Sequence, residues 1–366
     1  MSRWTVKELA NFISNPKSLN DITLSQWQAL ILVFRESKLL ASLYHSLVRN
    51  DLFDVQPHYV QRHLKAASVH ANRQRRQVIY ECQLLNQFLL AVDVKPIYLK
   101  GANYILRKSH NSYGRIVSDI DLLVSEKDIK KVEDRLKSGL WESEELSDYD
   151  EQYYRKWAHE IPPLVHFLRN TVLDVHHNLY LPISGRSLDI DLFVEHSELV
   201  GEQCRVLCPA DTVLHSIIHL YMNEDFTNSF RDLYDLYSLM TEFGSEEFWQ
   251  RLDFMANKTG YQKELYYCLK TLIQLFDFTT PDIFENLDVK YKRISSDFFI
   301  QFIVLNAITP KHNLLDTTKT KLARYVVFLR GHWLKMPTHI LIYHLFIKSY
   351  TGVIKFVMGK HFLDKD

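Results

Sequence analysis

Hydrophobic and polar positions divide the chain into three stretches. In TLSQWQALILVFRESKLLASLYHSLV apolar residues recur at helical spacing. From Pro57, a residue suited to a helix start, HYVQRHLKAASVHANRQRRQVIYECQLLNQFLLAV runs on without Gly or Pro. A helical region over residues 1–92 is expected. The pattern then changes. KPIYLKG reads as a short strand ending at Gly101, ANYILRKS as a short helix, and GRIVSDIDLLV as a strand rich in branched residues. Ser125 is expected to cap EKDIKKVEDRLKS, with Asp128 three residues on and Gly139 as the stop. PPLVHFL and TVLDVHHNLY, joined at Arg169 and Asn170, predict a β-hairpin. Strands and helices mix over residues 93–200 and only there. From Pro209 amphipathic helices return in PADTVLHSIIHLYMNED and SFRDLYDLYSLMTEF, within a C-terminal helical domain expected over 201–366. The expected fold class is α+β, a small mixed-sheet core flanked by N- and C-terminal helical regions.

The core carries the chemistry. GRIVSDIDLLV sets Asp119 and Asp121 one residue apart in an apolar run, on one face of the strand. Like charges on one face repel, and burying either unpaired costs roughly several kcal/mol. An exposed edge strand would solvate both. A divalent cation would instead remove both penalties, because Mg²⁺ takes oxygen ligands, often one or two carboxylates plus substrate phosphates. The pair alone leaves these readings open. Asp174 and His176 in TVLDVHHNLY share a strand face by the same period. Three acids on adjacent strands of one small sheet could surround a Mg²⁺ site. Two metal ions about 4 Å apart would clamp the attacking and leaving oxygens of a phosphoryl displacement. A second Asp-x-Asp, Asp189 and Asp191 in SLDIDLF, lacks an upstream glycine turn and a following strand carboxylate, and reads as a loop or helix start.

Composition changes this picture little. The 366 residues are 46% hydrophobic and 13% aromatic, enough for sizeable cores, and Gly and Pro number 10 each. Net charge is zero, so the overall field argues neither for nucleic acid nor for an anionic membrane. Residues 311–366 depart from that balance, with ten Lys and Arg against three Asp. Within them THILIYHLFIKSYTGVIKFVM is apolar but broken by His344, Lys348 and Lys355, a poor membrane span. It is expected to form a buried helix pair, with a basic interfacial helix as the other reading. Cys82, Cys204, Cys208 and Cys268 are too scattered for a disulfide framework. Cys204 and Cys208 could share a helix face, but no second pair completes a zinc site, so buried thiols are expected. The N-terminal MSRWTVKELANF has charges where a signal peptide needs an apolar core, and a cytoplasmic location is expected.

The ordered set YLKGANYILRKSHNSYGRIVSDIDLLV followed by LDVHHNLY resembles the nucleotidyltransferase superfamily of DNA polymerase β type. It is most similar to the bacterial family of uncharacterised nucleotidyltransferases, which carries Lys-Gly-Ala, then Arg-x-x-Ser-Asp-x-Asp, then Asp-x-His, then helices. Here these are Lys100, Gly101 and Ala102; Arg115, Ser118, Asp119 and Asp121; Asp174 and His176. The likeness extends to PADTVLHSIIHL and FRDLYDL and covers roughly residues 94–240.

The resemblance implies transfer of a nucleoside monophosphate from an NTP, with Asp119, Asp121 and Asp174 as catalytic residues holding Mg²⁺ or Mn²⁺. Lys100, Gly101, Ala102, Arg115, Ser118 and His176 would meet the nucleotide. The superfamily often has Ser or Gly where Ala102 stands, which leaves backbone N–H groups for the phosphates there. Each residue has a plainer reading: Lys100 in solvent, Arg115 paired with Asp119, His176 a satisfied polar group. His215 and His219, four apart on a helix, read as packing residues. Arg231, Asp232 and Asp235 read as local salt bridges, and Arg73, Arg75 and Arg76 as a solvated helix face. RNA, a protein side chain and a small molecule all stay open as the hydroxyl-type acceptor, and the oligomeric state is unread. A non-catalytic module of the same fold, or a membrane-associated scaffold, is the alternative.

Overall fold

A computed structural model describes residues 4–143, 146–201 and 203–358, with backbone only at 348 and 351–358. The fold is α+β. Seven short strands form one mixed sheet: β1 (Ile97–Tyr98), β2 (Ile120–Leu123), β3 (Trp141–Ser143), β4 (Leu164–His166), β5 (Val172–His176), β6 (Glu198–Val200) and β7 (Cys204–Val206). Their spatial order is β3-β4-β5-β2-β1-β7-β6. β2 runs antiparallel to β1 and parallel to β5, and β1 runs parallel to β7. The sheet therefore reaches Val206, past the boundary at 200 that the hydrophobic pattern suggests, because β7 pairs beside β1. Cys204 sits in β7 and Cys208 caps the next helix, so the two share no helix face. All four cysteines are buried and unpaired.

Period-two alternation decides which side chains face which layer. Tyr98, Ile120, Leu122, Leu173 and Val175 pack with Val78, Cys82, Leu85 and Leu89 of the long helix His58–Leu90 and with Val132 and Leu136. The other face gives Ile97, Leu99 and Leu123 to a larger cluster. That cluster joins N-terminal residues such as Leu9, Trp27 and Phe34 to Leu214, Leu236 and Leu269 of the later helices. The helices before and after the sheet thus share one core, laid over the face that carries Asp121, Asp174 and His176.

Local expectations met the structure unevenly. Pro57 does precede the long helix. The Arg169–Asn170 turn closes the β4–β5 hairpin, with Asn170 in the left-handed region (φ 52°) and its N–H on the His166 carbonyl at 2.8 Å. Ser125 makes no capping bond, because a 3-10 turn, Glu126–Asp128, intervenes before the helix Ile129–Lys137.

The larger correction concerns the last helices, Thr318–Lys335 and Thr338–Met358. Gly331 seats the first of them, since a Cβ there would overlap the Glu224 backbone. Arg330 donates to the Tyr221 carbonyl at 2.6 Å. The second is docked on its His344 side, where Nδ1 meets Tyr149 Oη at 2.7 Å and the ring abuts Tyr153. Yet Leu322, Tyr325, Leu329 and Trp333 form an exposed stripe at helical spacing, continued by Ile342 and Phe346. Among the described side chains, the pair buries one face and leaves this one uncovered. Apolar periodicity reports a face that avoids water, not what covers it. Among the described residues no helix is long and apolar enough to cross a membrane.

Candidate active site

β2 is the central strand of the sheet, not an edge, and its pairing with β5 puts Asp121 directly opposite Asp174. Asp119 precedes the strand and lines a cleft of about 230 Å³ with Asp121, Lys100, Gly101 and Arg115. The far wall is Ser216, His219 and Asn223 at the end of the helix Pro209–Met222, with Arg231 and Asp232 of the helix Ser229–Phe243. A larger cavity of about 560 Å³ lies between the long helix and the β6–β7 turn, but none of the three aspartates lines it.

The turn after β1 is built tightly. Lys100 takes φ 41°, a left-handed conformation costly for a residue with a Cβ. A Cβ on Gly101 would come within 2.9 Å of Val117 Cγ2, so any larger residue there would push Val117 aside. Gln74 of the long helix clamps that segment from behind, accepting from Val117 N–H at 3.0 Å and donating to the Val117 carbonyl. Ala102 points into the core, away from the cleft, and is 1% exposed. Ser118 is exposed and donates to Asp119 Oδ1 at 3.1 Å.

Asp121 is 5% exposed and takes Lys100 Nζ at 2.9 Å and His176 Nε2 at 3.0 Å on the same oxygen. Burial opposes its ionisation, but the Lys100 ammonium and His176 outweigh that and hold the carboxyl well below the usual range. Lys100 is raised in turn, because Asp121 overcomes its own desolvation. Asp174 is the opposite case. Burial, then the charges of Glu160 and Asp121, push its carboxyl up to about 7, and its Oδ1 is buried without a hydrogen-bond partner. A cation beside it would supply what the protein does not.

That shift fixes a pH dependence. In metal-free protein the native state holds the Asp174 proton more tightly than the unfolded chain, whose carboxyl titrates near 3.8. The contribution of Asp174 to stability is then full below about pH 4, falls as pH rises toward 7, and is lost above it. The ceiling is roughly 4 kcal/mol for a shift of this size. Asp174→Asn should raise the melting temperature in chelator at pH 8 and hardly change it at pH 4. Equal shifts at both pH values would show that Asp174 is not the titrating group.

Arg115 neither pairs closely with Asp119 nor extends freely into the cleft. It is 8% exposed, bonded to Asp235, and stacked at 5.1 Å over the Tyr104 ring. Asn111 adds a 3.0 Å bond to the same carboxylate. Burial and nearby Arg231 lower the Arg115 pKa to about 10. Arg231 reaches back to the Ile116 carbonyl at 3.3 Å and pairs with Asp232 at 3.0 Å. His219 lines the cleft and is held down to about 3 by Lys100 and then by burial, so it is neutral there. His215 is buried among packing residues. Asp189 and Asp191 are exposed, and the Asp191 N–H bonds Asp189 Oδ1 at 3.2 Å to open a short helix.

Two residues of the site escaped the sequence reading. His159 and Glu160 lie alongside the end of β5, with Glu160 bridging to His176. Glu160 Oε2 lies 3.4 Å from His176 Nε2. Pro162 keeps Ile161 extended, but nothing in HEIPPL says which strand His159 and Glu160 will meet.

The site thus combines paired carboxylates on parallel strands, a glycine turn against them and a helical wall across the cleft. A family model described as an uncharacterised nucleotidyltransferase matches residues 23–277, and the chain belongs to that family. The match runs wider than the motifs, from the cap of the helix Leu24–Glu36 to the residue closing Gln262–Phe276. No curated protein and no solved structure matches the chain.

Proposed function

We propose that the protein transfers a nucleoside monophosphate from an NTP to a hydroxyl-bearing acceptor. The acceptor oxygen bonds to the α-phosphorus, the α–β bridge breaks, and pyrophosphate leaves. The observation that carries this reading is Asp174, opposite Asp121, with a buried carboxylate oxygen that no described residue satisfies. The donor set is all oxygen at Asp119, Asp121 and Asp174, which suits Mg²⁺ or Mn²⁺. When bound, such a cation neutralises triphosphate charge and lowers the pKa of a coordinated hydroxyl. The protein's own part is positioning and charge. Lys100 and Arg231 supply positive charge in the cleft, and Asp174 accepts the acceptor's proton. The helix Lys100–Arg107 begins at this turn, so its first N–H groups would be the backbone donors for the phosphates.

Mg²⁺ or Mn²⁺ with an NTP should raise the melting temperature, because a ligand bound only to the native state adds about 2.7 kcal/mol at a hundredfold excess over Kd. Differential scanning fluorimetry with each NTP reads this directly. No shift at saturating metal and NTP in folded protein would remove the nucleotide site. Incubation with labelled NTPs, Mg²⁺ and a cell extract would then show whether RNA, a protein or a small molecule takes up label.

A second reading concerns place rather than chemistry. The exposed stripe from Leu322 to Phe346 lies in the segment with ten basic against three acidic residues, a combination suited to an anionic membrane surface. The side chains of Lys348, Lys355 and Lys360, which would also serve RNA phosphates, lie outside the described residues. The protein should float with phosphatidylglycerol vesicles, not with phosphatidylcholine, and Trp333→Ser with Phe346→Ser should abolish flotation. Protein that stays at the bottom with both lipids would end this reading.

A further inference from the structure

His159, Glu160 and His176 each present a ligand atom such that all three lie within 4.8 Å of one another. The three aspartates are not such a group among the described residues. The backbone holds the cluster in place. The His159 carbonyl accepts from His177 N–H at 2.8 Å, and Ile161 N–H donates to the Val175 carbonyl at 3.1 Å. His159 and His176 face each other with ring centroids 5.1 Å apart.

The spacings can be compared with what a metal requires. Four ligands at about 2.0–2.1 Å in a tetrahedron stand about 3.3 Å from one another. His176 Nε2 is 3.4 Å from Glu160 Oε2 and 3.0 Å from Asp121 Oδ1. His159 Nε2 is 4.0 Å from Glu160 Oε2, so this ring has to close in for all the ligands to reach one ion. Nδ1 of both His159 and His176 is buried without a partner among the described residues, while His176 Nε2 is already held by Asp121 Oδ1 at 3.0 Å, so His159 is the ring free to adjust. His176 itself is 1% exposed.

We propose that His159, Glu160 and His176 bind a divalent transition metal, of which Zn²⁺ is the probe of choice, with Asp121 shared between this site and the three aspartates. Two imidazoles and one carboxylate favour Zn²⁺, Co²⁺ or Mn²⁺ over Mg²⁺, which prefers an all-oxygen shell. Such an ion stays on the protein without nucleotide, whereas Mg²⁺ arrives with the triphosphate. The competing arrangement is a protonated His176 bridging Asp121 and Glu160, which leaves no place for a metal.

The inference does not depend on nucleotide transfer, and its test uses none. Chelator-stripped full-length protein is titrated with Co²⁺, followed by visible absorption, and with Zn²⁺, followed by equilibrium dialysis. One equivalent should bind, with the intense absorption of a low-coordinate Co²⁺ site. His159→Ala and Glu160→Gln should each weaken binding by about 100-fold or more, beyond the loss of a supporting partner alone. Asp119→Asn should leave it intact while losing the thermal shift with Mg²⁺ and NTP. Absence of stoichiometric metal in the wild type, or binding that survives both His159→Ala and Glu160→Gln, overturns the proposal. Zn²⁺ binding without any nucleotide shift would sink the transferase reading alone.

Discussion

Asp121→Asn is expected to cut nucleotidyl transfer by orders of magnitude and to lower the melting temperature as well. Removing one charge from a group of carboxylates would by itself relieve repulsion and stabilise the fold. The structure reverses that sign at this position, because Asp121 is the counter-charge of Lys100 and His176. Deleting one partner of a buried pair costs roughly 3–5 kcal/mol, nearer the lower figure here because Lys100 is partly open to solvent. Asp191→Asn in the second Asp-x-Asp, exposed and outside the cleft lining, should change neither activity nor stability. Activity assays and thermal melts on both variants check this together. An Asp121→Asn protein as stable as the wild type would show that Lys100 finds water or another acid instead. One that is fully active would remove Asp121 from the chemistry.

Arg115→Met should be nearly as damaging, for a different reason. The Arg115–Asp235 pair ties the segment before β2 to the helix Ser229–Phe243, and both partners are almost fully buried. Losing the guanidinium strands Asp235 with only Asn111 and costs about 3–5 kcal/mol. The double change Arg115→Met with Asp235→Leu should recover most of that, since apolar groups of similar volume replace buried pairs at little cost. Chemical denaturation of the wild type, both single variants and the double variant gives the coupling directly. If the double variant is no more stable than Arg115→Met, the loss comes from Tyr104 stacking or cleft geometry, not from the pair. Recovered stability without recovered activity would assign Arg115 a further role toward phosphate.

What could be read from the chain follows the range of the signals. The facing of Asp121 and Asp174 was legible because alternation along a strand is a local rule, and Ile120, Leu122, Leu173 and Val175 mark the opposite face. The β4–β5 hairpin was legible for the same reason. β6 and β7 were not, since Glu198 and Arg205 interrupt the kind of apolar run that marks KPIYLKG and PPLVHFL. The Arg115–Asp235 tie joins positions 120 apart in the chain, and no local pattern selects that partner over Asp119 or Asp232. His159 and Glu160 lie outside any regular element, held by one isolated bridge, so only the finished sheet shows what they face.

Gly331 makes the seat of the helix Thr318–Lys335 a contact of main chain on main chain, at a point beyond the stretch that the family model matches. A methyl at 331 would wedge that joint open, while Ala323 and Val327 in the core, Arg330 on the Tyr221 carbonyl and Lys335 beside Glu224 would still tether the helix. Gly331 therefore works as a set-screw, since the tilt of the C-terminal helices can be altered at one position without cutting the chain.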